Sequence, residues 1–498
     1  MNIPAEKPTN VRYGVLGFAC VLSMVTYLDR VCFGTVAPFV QTEFGLKSED
    51  MGWIFGAFTL AYATFEVPTG WLGDVFGPRK TLIRIVLWWS TFTALTGLIF
   101  PTPTLPVLAF YAMLAVRFLF GVGEAGAYPN IARAFHNWFP FHERGFAKGT
   151  VWMAGRLAGG VTPFIVLALL YETHIADNVA IHTETHWRHI FWVFGVIGIV
   201  WCIAFYFWFR DLPREHPQVN DAERALIELG HTAVVPEALP GAIQAGLPKA
   251  SPRETGIREG DSPLHVPPPH EEGRLKVPWG KLIRSPNLWL ICMMYFCASY
   301  GWYFNITYLP GFIKDRMEIG DKWTSSWWQY SLMAGLPLLF GSLACIVGGF
   351  MTDSFIKRTG NRKWGRRLFG VGGHGLCAVF YFLGMLVMGF ENPWPFVLLI
   401  ATATFWNDMT MGAAWASCID IGRRYSGIVS GCMNTIGNLG GFTANICTGY
   451  ILKYYAADIK HAWVVNFLIF TGVYVMAAFL WMGFDATKPI DEGDGPGH

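Results

Sequence analysis

The chain reads as an all-α membrane protein, twelve transmembrane helices arranged as two pseudo-symmetric bundles of six. Three observations predict this. The 498 residues are 53% hydrophobic and only 14% charged, whereas a soluble globular chain carries about 25% charge. Apolar runs of roughly the length that crosses a bilayer core, ~20 residues as a helix, recur twelve times. The two halves of the chain also repeat each other's motifs at nearly constant offsets. The 40 Phe and 22 Trp fit a lipid-facing surface with aromatic belts at its two interfaces.

In order, the apolar runs fall at 13–38, 51–72, 82–100, 106–131, 145–171 and 189–209, then at 286–310, 327–352, 367–389, 394–418, 427–452 and 463–484. The first run, from Tyr13, is longer than the apolar core of a signal peptide and contains Asp29-Arg30, so it reads as a mature span. Basic residues gather in the loops after even-numbered spans: Arg79, Lys80 and Arg84; Arg133, Arg144 and Lys148; Lys357 through Arg367; Arg423 and Arg424. Lys314, Arg316 and Lys322 blur the contrast on the other side. By the positive-inside rule the basic side is cytoplasmic, and both termini with it, in a cell (inner) membrane.

Residues 210–285 are the one long polar segment, dividing a first bundle (1–209) from a second (286–498). Asp221-Ala-Glu-Arg-Ala-Leu-Ile-Glu-Leu reads as a short amphipathic helix capped by Asp221. Val234–Pro269, rich in Pro and Gly, reads as a mobile tether. The halves match in detail. Gly70-Trp-Leu-Gly-Asp74-Val-Phe-Gly-Pro-Arg79-Lys80 follows the second span, and Gly349-Phe-Met-Thr-Asp353-Ser-Phe-Ile-Lys357-Arg358 follows the eighth, 279 residues later. Gly145, Gly149, Gly155 and Gly159 recur as Gly427, Gly431, Gly437 and Gly441, offset by 282. Parallel six-helix repeats are a transporter architecture, with the site near midplane between the halves.

Composition excludes other classes. A net charge of +2 argues neither for nor against any partner, and no nucleic-acid partner is expected. The ten cysteines lie scattered without a CxxC, as buried thiols and not as a disulfide frame or metal site. No GxSxG, Walker A or HExxH pattern occurs, so neither a membrane enzyme nor an ATP-driven pump is expected. His174, His182 and His186, with their acidic neighbours, read as part of a polar loop after the fifth span. No metal or organic cofactor is expected, and the chain is expected to act as a monomer.

Candidate functional residues are the charges inside the spans, each costing about 2.5–3.5 kcal/mol or more at the bilayer centre. Arg117-Phe-Leu-Phe-Gly-Val-Gly-Glu124-Ala-Gly-Ala-Tyr-Pro129 puts Arg117 and Glu124 two helical turns apart on one face. Tyr27-Leu-Asp29-Arg30 places opposite charges side by side, with Asp29 able to take a proton and Arg30 to hold an anion through its donor fork. Tyr62 and Glu66 share a face of the second span, and Arg156 sits among glycines in the fifth. Asn407-Asp408 lies in the tenth span, and Asn434 and Asn438 in the eleventh suit substrate hydroxyls or links between helices. Each buried charge has a bland alternative, a structural ion pair. With Arg30, Arg117 and Arg156 facing Asp29, Glu66 and Glu124, protonating two carboxylates leaves the first half net positive. An anion and protons then favour each other's binding.

These residues carry a resemblance. Gly70–Lys80 resembles the loop signature of the major facilitator superfamily, in which the counterparts of Asp74, Arg79, Lys80 and Asp353 act as a conformational latch. Tyr27–Arg30, Arg117–Pro129, Trp302-Tyr-Phe-Asn-Ile-Thr-Tyr-Leu-Pro310 and Gly431-Cys-Met-Asn434-Thr-Ile-Gly-Asn438-Leu-Gly-Gly441 resemble its anion:cation symporter family. That family includes bacterial galactonate, glucarate and hexuronate transporters, sialin and the vesicular glutamate transporters. The resemblance implies that Asp29 and Glu124 couple protons, that Arg30 contacts a substrate carboxylate and that Arg117 partners Glu124. It also assigns Tyr27, Tyr62 and Asn434 to the substrate. Glu66 and Arg156 stand where galactonate-type carriers have glutamine. The change either makes a compensating Glu66–Arg156 pair or reshapes the pocket for another anion. The expectation is proton-coupled uptake of a small organic anion, a sugar acid before tartrate or an aromatic carboxylate, with sodium left open as the coupling ion. A membrane sensor signalling through 210–285 is the alternative from a different class.

Overall fold

All twelve spans are helices in the computed structural model, which describes residues 6–101, 106–140, 143–176, 179–184, 187–229, 279–316 and 323–490. The first half contains α1 (Val11–Phe44), α2 (Ser48–Phe76), α3 (Pro78–Thr96), α4 (Pro106–Glu124), α5 (Ala127–Trp138), α6 (Arg144–Leu170) and α7 (Arg188–Trp208). Between the halves lie α8 (Asp221–Leu229) and α9 (Trp279–Arg284). The second half contains α10 (Pro286–Thr307), α11 (Leu309–Arg316), α12 (Trp323–Thr359), α13 (Arg362–Val387), α14 (Trp394–Met409), α15 (Met411–Gly422), α16 (Ser426–Tyr454) and α17 (Ile459–Gly483). Seven of the described spans are long and apolar enough to cross a membrane on composition alone. Among the rest, α2 carries Glu66 and α16 three asparagines, side chains that need protein around them.

The fourth and tenth spans are each broken in two. Gly126, at φ 86°, ends α4 with a left-handed turn packed against Thr69, and Pro129 follows in the first turn of α5, where a missing N–H costs nothing. The tenth span breaks at Thr410 between α14 and α15. The loop after the fifth span is not irregular: it holds an antiparallel hairpin, β1 (Tyr171–Ala176) and β2 (Val179–Glu184), with Thr173 opposite His182. Thr173, Ile175, Val179, Ile181 and Thr183 put a β-branched residue at every second position, a strand pattern that the charge of the segment obscures. His186 and the tether 234–269 lie outside the described residues.

The repeat seen in the glycines is a repeat of contacts. A Cβ on Gly155 of α6 would meet Tyr27 of α1 at 2.7 Å, and one on Gly437 of α16 would meet Tyr295 of α10 at 2.3 Å. Each glycine thus seats its helix on a tyrosine of the first helix of its own bundle. The halves meet most extensively through α2 against α16 and α6 against α12. These contacts are tightest on the side away from the termini. A Cβ on Gly335 would fall 2.0 Å from the Gly160 carbonyl oxygen, and one on Gly52 2.9 Å from that of Asn445. On the terminus side Gly145, Gly149 and Gly427 face open space.

The segment after α7 is tied to the start of the chain. Glu223 of α8, fully buried, accepts hydrogen bonds from the backbone N–H groups of Val11 and Arg12 at 3.2 Å each, from Thr9 Oγ1 at 2.6 Å and from Arg12 Nη1 at 3.1 Å. A carboxylate at the positive N-terminus of α1 satisfies donors the helix leaves free. The cap of α8 is Asn220, whose Oδ1 accepts from Glu223 N at 2.9 Å; Asp221, expected in that role, is the first helical residue.

Candidate functional site

Where α1, α2, α5, α6, α10, α14 and α16 converge they enclose a central cavity. It is lined by Tyr27, Arg30, Tyr62, Tyr128, Trp152 and Arg156 from the first half and by Tyr295, Ser299, Trp302, Tyr303, Asn407, Asn434 and Asn438 from the second. Aromatic rings make most of the wall. Tyr128 stacks on Trp152 with centroids 4.4 Å apart, and Trp302 meets the edge of Tyr27 at 6.3 Å. Into this wall project two arginines, both buried.

Arg30 lies over the Tyr62 ring, 4.7 Å from its centroid, and its Nε donates to Glu124 Oε1 at 2.6 Å. Its Nη2 has no hydrogen-bond partner. Arg156 lies over Trp302 at 4.2 Å and is ion-paired to Asp408, with Nε 2.9 Å from Oδ2 and Nη2 donating to Oδ1 at 3.1 Å, while Nε and Nη1 have no hydrogen-bond partner. Asp408 is fully buried, and Gly341 of α12 leaves room for its carboxylate, which a Cβ there would meet at 2.3 Å. Asn434 donates to Glu66 Oε1, joining α16 to α2, and Tyr303 donates to Asn438 Oδ1 at 2.8 Å.

Three expected relations change. The partner of Glu124 is Arg30; Arg117 instead sits over the rings of Phe33, Phe120 and Phe58 at 4.3, 4.6 and 5.4 Å. The physical reason is the span's own geometry: Arg117 and Glu124 share one face of α4, and α1 delivers Arg30 to the end of that face where the helix breaks. Glu66 and Arg156 form no pair with each other, since each is held by a residue of the second half. Asp29, although adjacent to Arg30, is absent from the cavity wall; both of its oxygens are buried without hydrogen-bond partners, with Arg117 and Glu124 as its charged neighbours. Tyr128, Trp152, Tyr295, Trp302 and Tyr303 line the cavity and were not assigned to the site from sequence, although Tyr128, Trp302 and Tyr303 stand in stretches that carry the resemblance, because an aromatic in an apolar span looks like any core residue.

The latch residues lie on the terminus side. Arg79 donates its backbone N–H to Asp211 Oδ1 at 2.8 Å and its side chain to the Tyr206 carbonyl; Lys80 is exposed. Asp211 reaches in against Gly77, whose φ of 83° only glycine adopts readily. Asp74 sits in the last turn of α2, and its side chain lies outside the described residues. In the second half Asp353 is 3.7 Å from Arg366, which also pairs with Asp420 at 3.0 Å. Nearby, Asp485 is ion-paired to Lys363 at 2.8 Å. Partial burial opposes its ionisation, but Lys363 and Thr487 outweigh that and hold the carboxyl down at about 2.

Two helical bundles around a central cavity of aromatic and polar side chains are the architecture of a carrier. The family model described as Major Facilitator Superfamily matches residues 19–445, and the chain belongs to that superfamily. Its relatives are of the anion:cation symporter type. It is 30% identical over 450 residues, 90% of this chain and 89% of the other, to a protein of Cupriavidus necator named "Probable sulfoacetate transporter SauU". It is 27% identical, over 90% of this chain and 88% of the other, to the "Probable galactarate/D-glucarate transporter GudP" of Bacillus subtilis. In fold it is similar to a bacterial homologue of the human lysosomal transporter Spinster, with a TM-score of 0.65 at 16% identity over 95% of this chain and 97% of the other. The protein is a multi-pass membrane transporter of the major facilitator type, and not an enzyme.

Proposed function

We propose that the protein takes up a small organic anion together with protons, by alternating access, and that a sugar acid (a hexuronate, aldonate or aldarate) is the first class to test. One observation carries the reading: the cavity arginine Arg30 is held by Glu124 through Nε while its buried Nη2 has no hydrogen-bond partner. An anion arriving at that guanidinium competes with Glu124. A buried carboxylate deprived of its counter-charge is costly, so anion binding favours proton entry, and proton entry in turn frees Arg30 for the anion. Tyr27, Tyr62, Asn434 and Asn438 are among the polar groups that line the cavity and could meet hydroxyls, with Tyr128, Tyr295, Ser299, Tyr303 and Asn407 beside them. Asp29, away from the wall, serves the proton through the Arg117–Glu124 neighbourhood rather than the substrate. Basic residues in the terminus-side loops support a cell (inner) membrane orientation with both termini cytoplasmic, and the open space beside Gly145, Gly149 and Gly427 then faces the cytoplasm.

A second reading within transport is a short sulfonate. It is favoured by the relative named for sulfoacetate, and it suits an arginine in an aromatic wall with few free hydroxyl-binding groups. Uptake into proteoliposomes, with an imposed inward proton gradient and a panel of aldonates, aldarates, hexuronates, sulfonates and aromatic carboxylates, tests both. Accumulation of a sugar acid supports the first reading. Accumulation of sulfonates alone replaces it with the second, and accumulation of none of the panel by folded protein removes the anion-carrier reading.

A further inference from the structure

The cavity holds two arginines in the same condition. Each is buried, each lies against aromatic rings, each is ion-paired to one carboxylate, and each keeps donors without a hydrogen-bond partner: Nη2 on Arg30, Nε and Nη1 on Arg156. They flank a single ring, with the Tyr27 centroid 5.9 Å from Arg30 Cζ and 5.5 Å from Arg156 Cζ. A short chain bearing an acid group at each end bridges such a separation. A buried guanidinium that lines a cavity and keeps an unused donor has capacity to hold an anion, and here there are two.

The two carboxylates differ in origin. Glu124 belongs to the same bundle as Arg30, whereas Asp408 reaches Arg156 from the opposite bundle. Apart from Arg156, the groups of the surrounding helices that act on Asp408 are uncharged. They are Asn407 beside it, Tyr27 of α1, Tyr295 of α10, Cys345 of α12, Cys377 and Tyr381 of α13 and Tyr474 of α17. Arg156 is thus the one counter-charge Asp408 has among the described residues. Its carboxylate occupies the place that an anionic head group on Arg156 would take.

We propose that the transported anion carries two acidic groups, one bound by Arg30 and the other by Arg156, and that Asp408 stands in for the second group while the carrier is empty. This deepens the anion-carrier reading and rests on it. When the dianion takes Arg156, Asp408 loses its partner and accepts a proton, as Glu124 does when it loses Arg30. The charge moved in by the substrate is then balanced within the cavity by two protons, and an anion with only one acidic group leaves the Arg156–Asp408 link unbroken.

The test is binding to purified full-length protein, measured calorimetrically with two matched pairs: glucarate against gluconate, and sulfoacetate against methanesulfonate. In each pair one terminal acid group is the difference. In whichever pair binds, the doubly charged member is expected to bind at least about tenfold more tightly to the unaltered protein. Asp408→Asn, which removes the internal competitor, should tighten the dianion further. The double variant Arg156→Gln with Asp408→Asn removes both members, leaves no unpaired charge to endanger folding, and should bring the two members of the pair to within about twofold. Equal binding of both members to the unaltered protein, or a preference that survives in the double variant, overturns the proposal while leaving the anion-carrier reading intact. Folded protein that binds neither pair overturns both.

Discussion

The two halves solve the same problem differently. Each places a carboxylate at the break in its fourth helix, Glu124 as the last residue of α4 and Asp408 one residue from the end of α14, and each carboxylate is fully buried against an arginine. The Glu124 pair closes within its own bundle, through Arg30 of α1. The Asp408 pair closes across the molecule, through Arg156 of α6. A rigid-body rocking of the bundles carries the first pair along unchanged and strains or breaks the second. At the positions that seat the glycines the halves also diverge: Tyr27 is followed by Asp29-Arg30, Tyr295 by Cys297-Ala298, and Arg30 and Ala298 both face the cavity. The first half therefore carries both cavity arginines. The second supplies wall, closure and one movable charge.

Breaking the first pair should have the largest effect. Arg30→Gln removes the anion's fixed donor and leaves Glu124 buried without a counter-charge, a loss of about 3–5 kcal/mol by analogy with other buried pairs. Uptake should fall at least about a hundredfold, with part of the protein lost to misfolding. Glu124→Gln sharpens the contrast, because it keeps the shape and removes the titrating group. Proton-driven accumulation should fall by about 5–150-fold, the usual span of a coupling energy, while counterflow exchange under equal pH persists. Equal loss of both activities would count against a coupling role.

A third variant probes the closure on the far side. Gly335→Ala drives a methyl group to 2.0 Å from the Gly160 backbone oxygen, where neither partner is a flexible side chain. Overpacking of this kind costs about 1–3 kcal/mol and should shift the bundles apart on that side, read as faster labelling of a cysteine placed near Gly52. Gly145→Ala, whose new Cβ meets open space, is the control.

The smallest effect is expected outside the membrane. Asp485, held at about 2 by Lys363 and Thr487, lends stability that is complete above the ordinary aspartate value of 3.8 and is lost as pH falls through about 2. Lys363→Met should lower thermal stability by ~0.2–1 kcal/mol at pH 7 and leave uptake unchanged.

How much of this was legible in the sequence follows from what determines it. The spans, the two halves and the glycine register come from local composition and repeats, and the helices deviate mainly by overrunning the bilayer, as α12 does at 37 residues. That Arg30, Glu66, Glu124, Arg156 and Asp408 are buried was legible as well, since lipid excludes them. Which charge meets which was not. Arg156 and Asp408 are 252 residues apart, and Arg30 reaches Glu124 across 94. The family resemblance pointed to Arg117 as the partner of Glu124, but its guanidinium lies against aromatic rings instead. Nor could periodicity separate Tyr128, Trp152 and Tyr295, which face the cavity, from core aromatics such as Phe33 and Trp89.

The most direct test of proton-coupled anion uptake reads the proton itself. Vesicles containing the purified protein and a trapped pH indicator are given, at equal pH and without sodium, an outward-to-inward gradient of the anion that binds best. The account predicts acidification of the lumen that starts with the anion, scales with its uptake and disappears in Glu124→Gln. Anion uptake with no movement of protons, or with movement that appears only when sodium is supplied, would contradict it.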